Sequence, residues 1–162
     1  MILMFSVIIA IIVMICIIHY NNKKIDKEKS KISIKESLDL AQVPVVTFME
    51  GDIKLNFLLD SGSSHSHICK GIVNSLIGTP INTDYTFTTA TGEGNNSAKI
   101  DSVLTYKDKE FKISLFVNET LDASFDSIKK ECGVQIHGIL GADFLKEHKY
   151  ILDFVELVAY PK

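Results

Sequence analysis

Arginine is absent from this chain of 162 residues, so all 17 of its strongly basic side chains are lysines. From residue 43 onward 11 lysines face 16 acids, and on that balance nucleic acid is not an expected partner. Cysteine is scarce as well. Cys16, Cys69 and Cys132 make an odd number with no paired spacing, which fits a reducing compartment better than a disulfide scaffold. No internal repeat is visible, so the chain is not built from two copies of one unit. Charge is missing altogether from residues 1–18.

That uncharged opening, MILMFSVIIAIIVMICII, accounts for much of the positive mean hydropathy. At about 1.5 Å per residue a helix of this length covers a bilayer core, and residues 1–19 are expected to form a single transmembrane anchor. A secretory signal would carry a positive segment before the apolar run and a small-residue cleavage site after it; neither is present. Cys16 follows the bulky Ile15, which is unfavourable for lipoprotein processing. Lys23, Lys24, Lys27, Lys29 and Lys31 crowd the downstream flank, and lysines favour the cytoplasmic side. The expected topology is a single-pass membrane protein with its domain in the cytoplasm. Residues 20–42, charged and poor in large apolar side chains, are expected to be a solvated linker or short juxtamembrane helix whose basic end touches anionic headgroups.

The domain proper, residues 43–162, alternates like a β protein. Ile53, Leu55, Phe57 and Leu59 fall on one face of a segment with Lys54 and Asn56 on the other. Val43–Met49 and Ile53–Leu59 flank the turn chemistry of Glu50-Gly51-Asp52. Asp60-Ser61-Gly62 follows, placing one carboxylate at the edge of a core on a turn whose small residues point amides and hydroxyls at it. The same residues also read as an ordinary turn between two strands. Further on, the pattern predicts a short strand over His67–Cys69 and a short helix over Gly71–Ile77. Strands over Tyr85–Thr91 and Ala98–Tyr106 would enclose a Gly-rich hairpin tip, Gly92-Glu93-Gly94-Asn95-Asn96. A strand over Phe111–Val117, an acidic loop over Asn118–Asp126, and strands over Gln135–Leu140, Tyr150–Phe154 and Leu157–Tyr160 complete the reading, with one helix over Ala142–His148.

Two strings taken together, Leu58-Leu59-Asp60-Ser61-Gly62 and Ile139-Leu140-Gly141-Ala142-Asp143-Phe144-Leu145, resemble the retropepsin-like aspartic proteases, in particular the branch holding the DNA-damage-inducible proteases and bacterial retropepsin-like domains. The likeness covers about residues 43–161. It implies a closed, mainly β barrel with one or two short helices, preceded here by the transmembrane helix. It also implies an aspartic endopeptidase acting on peptide or protein substrates with no cofactor. Asp60 would be the catalytic acid, Ser61 and Gly62 would support its loop, and Gly92, Glu93 and Gly94 would form a flap over the substrate. Ile139, Leu140 and Gly141 would pack beside the Asp60 loop. Because there is a single Asp-Ser-Gly, the resemblance implies a homodimer in which each chain donates one Asp60. Ser63, where the family often has Ala, and the polar flap sequence depart from the pattern and leave substrate choice open.

Two alternatives to this reading stand beside it: a non-catalytic dimeric module that binds extended peptides, and a precursor that cuts itself within residues 20–42. Weaker constellations are His65 with His67, which lack the further ligands a metal needs, and Ser63-Ser64-His65, whose neighbours on a turn do not meet in catalytic geometry. No metal is expected. Asp143 reads as a helix-capping carboxylate, and Cys69 and Cys132 as small buried hydrophobes.

Overall fold

The computed structural model describes residues 2–89 and 92–162. Helix α1 (Ile2–Lys29) leads through residues 30–31 into a two-residue strand β1 (Ile32–Ser33) and a short helix α2 (Lys35–Ala41). Strands β2 (Val45–Glu50) and β3 (Ile53–Leu59) form the expected hairpin. Its turn runs through Gly51 at φ 55°, a left-handed backbone that glycine adopts without steric cost. Then come β4 (His67–Cys69), a 3-10 turn over Lys70–Ser75, β5 (Ile81–Thr89), β6 (Gly92–Tyr106) and β7 (Lys109–Asn118). Helix α3 (Leu121–Cys132), strand β8 (Gly138–Leu140), helix α4 (Ala142–Glu147), β9 (Tyr150–Asp153) and β10 (Val158–Pro161) close the chain.

Seven strands bond in the order β2-β3-β8-β4-β7-β6-β5, and the pairing of Met49 with Thr105 joins β2 to β6, closing six of them into a barrel. Closure removes exposed edges from those six, and β5 remains outside as the second arm of a long hairpin. The barrel is filled by aromatic rings. Phe48 lies edge-on to Phe57, Phe111 and Phe144 at centroid separations of 6.2, 5.5 and 5.9 Å, the arrangement that ring quadrupoles favour. A smaller cluster of Val45, Cys69, Phe125 and Ile136 lies beneath α3. Burial pushes the Cys69 thiol up to about 12, with the nearby Asp122 and Asp126 carboxylates adding to the effect, so this cysteine behaves as an apolar filler.

The folded unit takes in residues that the sequence assigned to a solvated linker. Ile32 and Ile34 are buried in the main core, and β1 pairs with β10, Ile32 opposite Ala159 and Ser33 opposite Val158. The segment is too short and too charged to declare itself by periodicity, but its two isoleucines, two apart on an extended chain, share one face. Three short helices follow α1 where one or two were expected. α3 replaces the predicted acidic loop: Leu121, Phe125 and Ile128 recur at helical spacing against the core, and Gly133 at φ 75° ends the helix by donating its N–H to the Lys129 carbonyl (2.9 Å).

The flap hairpin is also shifted. Gly92, Glu93 and Gly94 do not form its tip: their backbone pairs with Thr89, Thr88 and Phe87, within β6. The glycines and asparagines attracted the prediction of a turn, yet ladder bonding to β5 carries these residues in extended form. Residues 90 and 91, which the sequence assigned to strand, lie outside the described residues.

Among the described residues no helix is long and apolar enough to cross a membrane. The side chains of residues 1–8 and 10, about half of the expected anchor, lie outside the described residues. Within the rest of α1, Ile11, Ile12, Val13, Met14, Ile15, Ile17 and Ile18 are each more than half exposed, so this stretch packs against no part of the barrel.

Candidate active site

Asp60 ends up where β3 leaves the barrel. Leu59 is buried, Asp60 is half-buried and Ser61 and Gly62 are exposed, so the carboxylate stands at the boundary between core and solvent. The Gly62 N–H donates to Asp60 Oδ1 at 2.8 Å, and the Ser63 N–H to the Asp60 carbonyl at 3.2 Å. A side chain at Gly62 would bring a Cβ to 3.1 Å from that same Oδ1, crowding the acid.

The loop is fastened to a segment far along the chain. β3 and β8 pair in parallel, Leu58 opposite Ile139 and Leu59 opposite Leu140, and β4 packs antiparallel on the other side of β8. The Asp60 N–H then donates to the Leu140 carbonyl (3.0 Å), and the Ala142 N–H to the Ser63 carbonyl (2.7 Å). Gly141 is buried between these strands; a Cβ there would meet the His65 and Ser63 carbonyl oxygens at 2.6 and 2.7 Å. Gly138 is equally confined; a Cβ there would lie 2.3 Å from the His67 carbonyl oxygen. The structure thus brings Asp60, Ser61 and Gly62 together with Ile139, Leu140 and Gly141.

Two residues with no assigned role in the sequence reading complete the fastening. Ser66, fully buried, donates its hydroxyl to Asp143 Oδ1 (2.7 Å) and its N–H to Asp143 Oδ2 (2.9 Å), while its Oγ accepts the Gly141 N–H (2.9 Å). Asp143 is not the cap of α4, whose capping position is Gly141; it lies in the first turn and ties the helix to the loop. Asn56, on β3 four residues before Asp60, ties that strand to the segment leading into β8. Its side-chain amide donates to the Gln135 carbonyl (2.7 Å), and its backbone N–H donates to His137 Nδ1 (2.9 Å). A carboxamide pointing out of an otherwise alternating strand was the available signal.

Around the loop, Ser63 Oγ donates to the His65 carbonyl (2.7 Å), and His65 stands edge-on to Phe116 with centroids 5.4 Å apart. His67, one strand position further inward, is buried; desolvation holds its imidazole below the ordinary value, the neighbouring His65 adds to this, and Asp143 opposes it. The hairpin of β5 and β6 belongs to the same end of the molecule. β6 meets β7 at Lys99 opposite Phe116, beside His65, so residues 92–98 extend beyond the barrel from the level of the Asp60 loop.

No family model and no curated protein matches the sequence. Among solved structures, the chain is similar to a retropepsin-like aspartic protease from Rickettsia conorii, 19% identical with a TM-score of 0.51 over 80% of this chain and 87% of that one. It is also similar to the EIAV protease complexed with an inhibitor (20% identical, TM-score 0.44, 67% and 90% covered). The retroviral protease-like domain of Ddi1 from Leishmania major is a third (14% identical, TM-score 0.43, 72% and 90% covered). The six-stranded closure, the loop at the end of β3 and the likeness to the Rickettsia structure across most of both chains lead to one conclusion: this chain has the retropepsin-like fold.

Proposed function

We propose that this protein is a membrane-anchored aspartic endopeptidase, active as a homodimer in which each chain contributes Asp60. The observation that carries the reading is the Asp60 loop itself, a half-buried carboxylate held by Gly62 at the rim of a barrel and fastened from behind by residues 138–144. A single carboxylate is a poor catalyst of amide hydrolysis. Two of them facing each other cannot both ionise cheaply, so one proton is retained between them, as is general for aspartic proteases. The ionised member takes a proton from water, and the neutral one donates a hydrogen bond to the scissile carbonyl and then to the tetrahedral oxygen. Ser61 and Gly62, exposed beside the acid, supply the surface through which a second copy approaches. The β5–β6 hairpin lies over an extended substrate and offers it backbone hydrogen bonds as an added strand would receive them.

The tether is supported by the exposed apolar run Ile11–Ile18 and by the lysines that follow it. The lysine bias supports a cytoplasmic domain.

The deciding experiment is an unbiased peptide-library digestion by the full chain beside Asp60→Asn. The wild type is expected to cleave and the variant to lose at least about a hundredfold in rate while keeping its circular dichroism spectrum. No cleavage from either protein would leave the non-catalytic peptide-binding module as the better account, and equal cleavage would remove Asp60 from the chemistry.

A further inference from the structure

We propose that the end of the barrel from which α1 departs is a lipid-facing surface that rests on anionic headgroups, with Asp60 held at the opposite end and turned away from the bilayer. This rests on the tether proposed above.

The placement follows from strand direction. The Tyr150 hydroxyl donates to the carbonyl of Ser30, just past the end of α1, and Lys107 Nζ donates to the carbonyl of Lys31 (3.4 Å), so the β6–β7 turn and the start of β9 lie at that end. The Lys162 N–H donates to the Lys149 carbonyl, bringing the last residue there too. Lys29, Lys107, Lys109, Lys149 and Lys162 therefore share one end of a domain that is acidic as a whole. Among the described residues none of the five forms an ion pair. Lys107 lies over the Tyr106 ring (5.2 Å), and Lys109 lies over Phe111 and Tyr150 (5.2 and 5.4 Å). Rings hold these ammonium groups without cancelling their charge. The acids nearby are Asp108, in the same turn, Glu110, next to Lys109 in β7, Glu156, whose charge reaches Lys31, and Glu28, already paired with Lys31 at 2.9 Å.

The opposite end is fixed by β7. From Lys109 to Phe116 the strand advances about 23 Å, and Phe116 touches His65 of the Asp60 loop. The helix that continues past the apolar run sets the spacing from the membrane. Tyr20 to Lys29 spans about 14 Å, a headgroup layer plus roughly one Debye length, so the lysines lie within the negative surface potential. Substrate reaches Asp60 from the aqueous side, as an extended segment well clear of the bilayer.

The test uses the full chain reconstituted in vesicles of phosphatidylcholine alone or with a third phosphatidylserine. Amine-reactive labelling of Lys107, Lys109, Lys149 and Lys162 is read by mass spectrometry against Lys129 and Lys130 on α3 as internal references. Serine-lipid vesicles are expected to lower labelling of the four at least threefold relative to the references, with recovery at 1 M salt. Equal labelling in both vesicles, with the chain still co-floating with each, overturns the lipid-facing surface and leaves the tether standing. Failure to co-float with either vesicle overturns the tether and this surface with it.

Discussion

Ser66 has every polar atom engaged, and its partners hold the Asp60 loop against α4. Asp143 accepts from the Ser66 N–H and hydroxyl and from the Phe144 N–H, all at 2.7–2.9 Å. Asp143→Ala strands a serine that is fully buried, an unsatisfied group that costs about 1–3 kcal/mol. The variant is expected to melt several degrees lower and to lose most of its peptide cleavage, whereas Asp143→Asn, which keeps an acceptor for the hydroxyl, is expected to recover part of both. Thermal unfolding and library digestion in parallel check this. A second residue governs the response to acid. Burial, and secondarily Lys129, holds the His137 imidazole below its ordinary 6.5, and its Nδ1 must stay unprotonated to accept the Asn56 N–H. His67 is held down in the same way. The unfolded chain thus binds more protons than the folded one below that value; the stability contribution is complete above about pH 6.5 and is lost as the pH falls through the folded values. Melting temperature is expected to drop between about pH 7 and pH 5, above the range where carboxylates titrate, and His137→Gln, which retains an acceptor, should flatten the slope.

Among the elements, β1 with the residue that follows it, Ile34, has a role out of proportion to its length. Ile34 is completely buried and its N–H donates to the Leu157 carbonyl, so Ile34→Ala is expected to cost about 2–5 kcal/mol, measured by denaturant unfolding of the full chain. Self-cleavage between residues 34 and 42 would strip both isoleucines from the core, which restricts any benign processing to positions before Ile32. The elements that the sequence made most legible are those with a period of two: β3 and β7 lie where alternation puts them, while β4, read only as a short strand, is buried along its whole length. β1 was hidden because two residues carry no period, and α3 because its acids outweighed the Leu121, Phe125 and Ile128 spacing. In the β5–β6 hairpin, local turn chemistry at Gly92–Asn96 competed with a ladder whose bonds come from the partner strand, and the ladder won. At the site, Asp60-Ser61-Gly62 and Ile139-Leu140-Gly141 were readable as strings, but the bonds from Ser66 to Asp143 join positions 77 apart in sequence and become visible only when the strands are paired.

For the molecule as a whole, the proposed chemistry belongs to a pair of chains, so rate per chain should depend on how crowded they are. Confinement to a membrane raises effective concentration. Diluting the full chain with lipid at constant protein is expected to lower specific cleavage activity, steeply below the surface density at which pairs dissociate; a rate per chain that stays flat across a hundredfold dilution would count against the dimer. The parallel contact of β3 with β8 has a further effect, on timing. Asp60 leaves the ribosome long before Leu140 and Gly141, the residues that clamp its loop. A half-made polypeptide therefore carries the acid on an unclamped turn, and the loop takes its folded form only after Leu140, Gly141 and Ala142 have emerged, which withholds the proposed chemistry from the nascent chain until then.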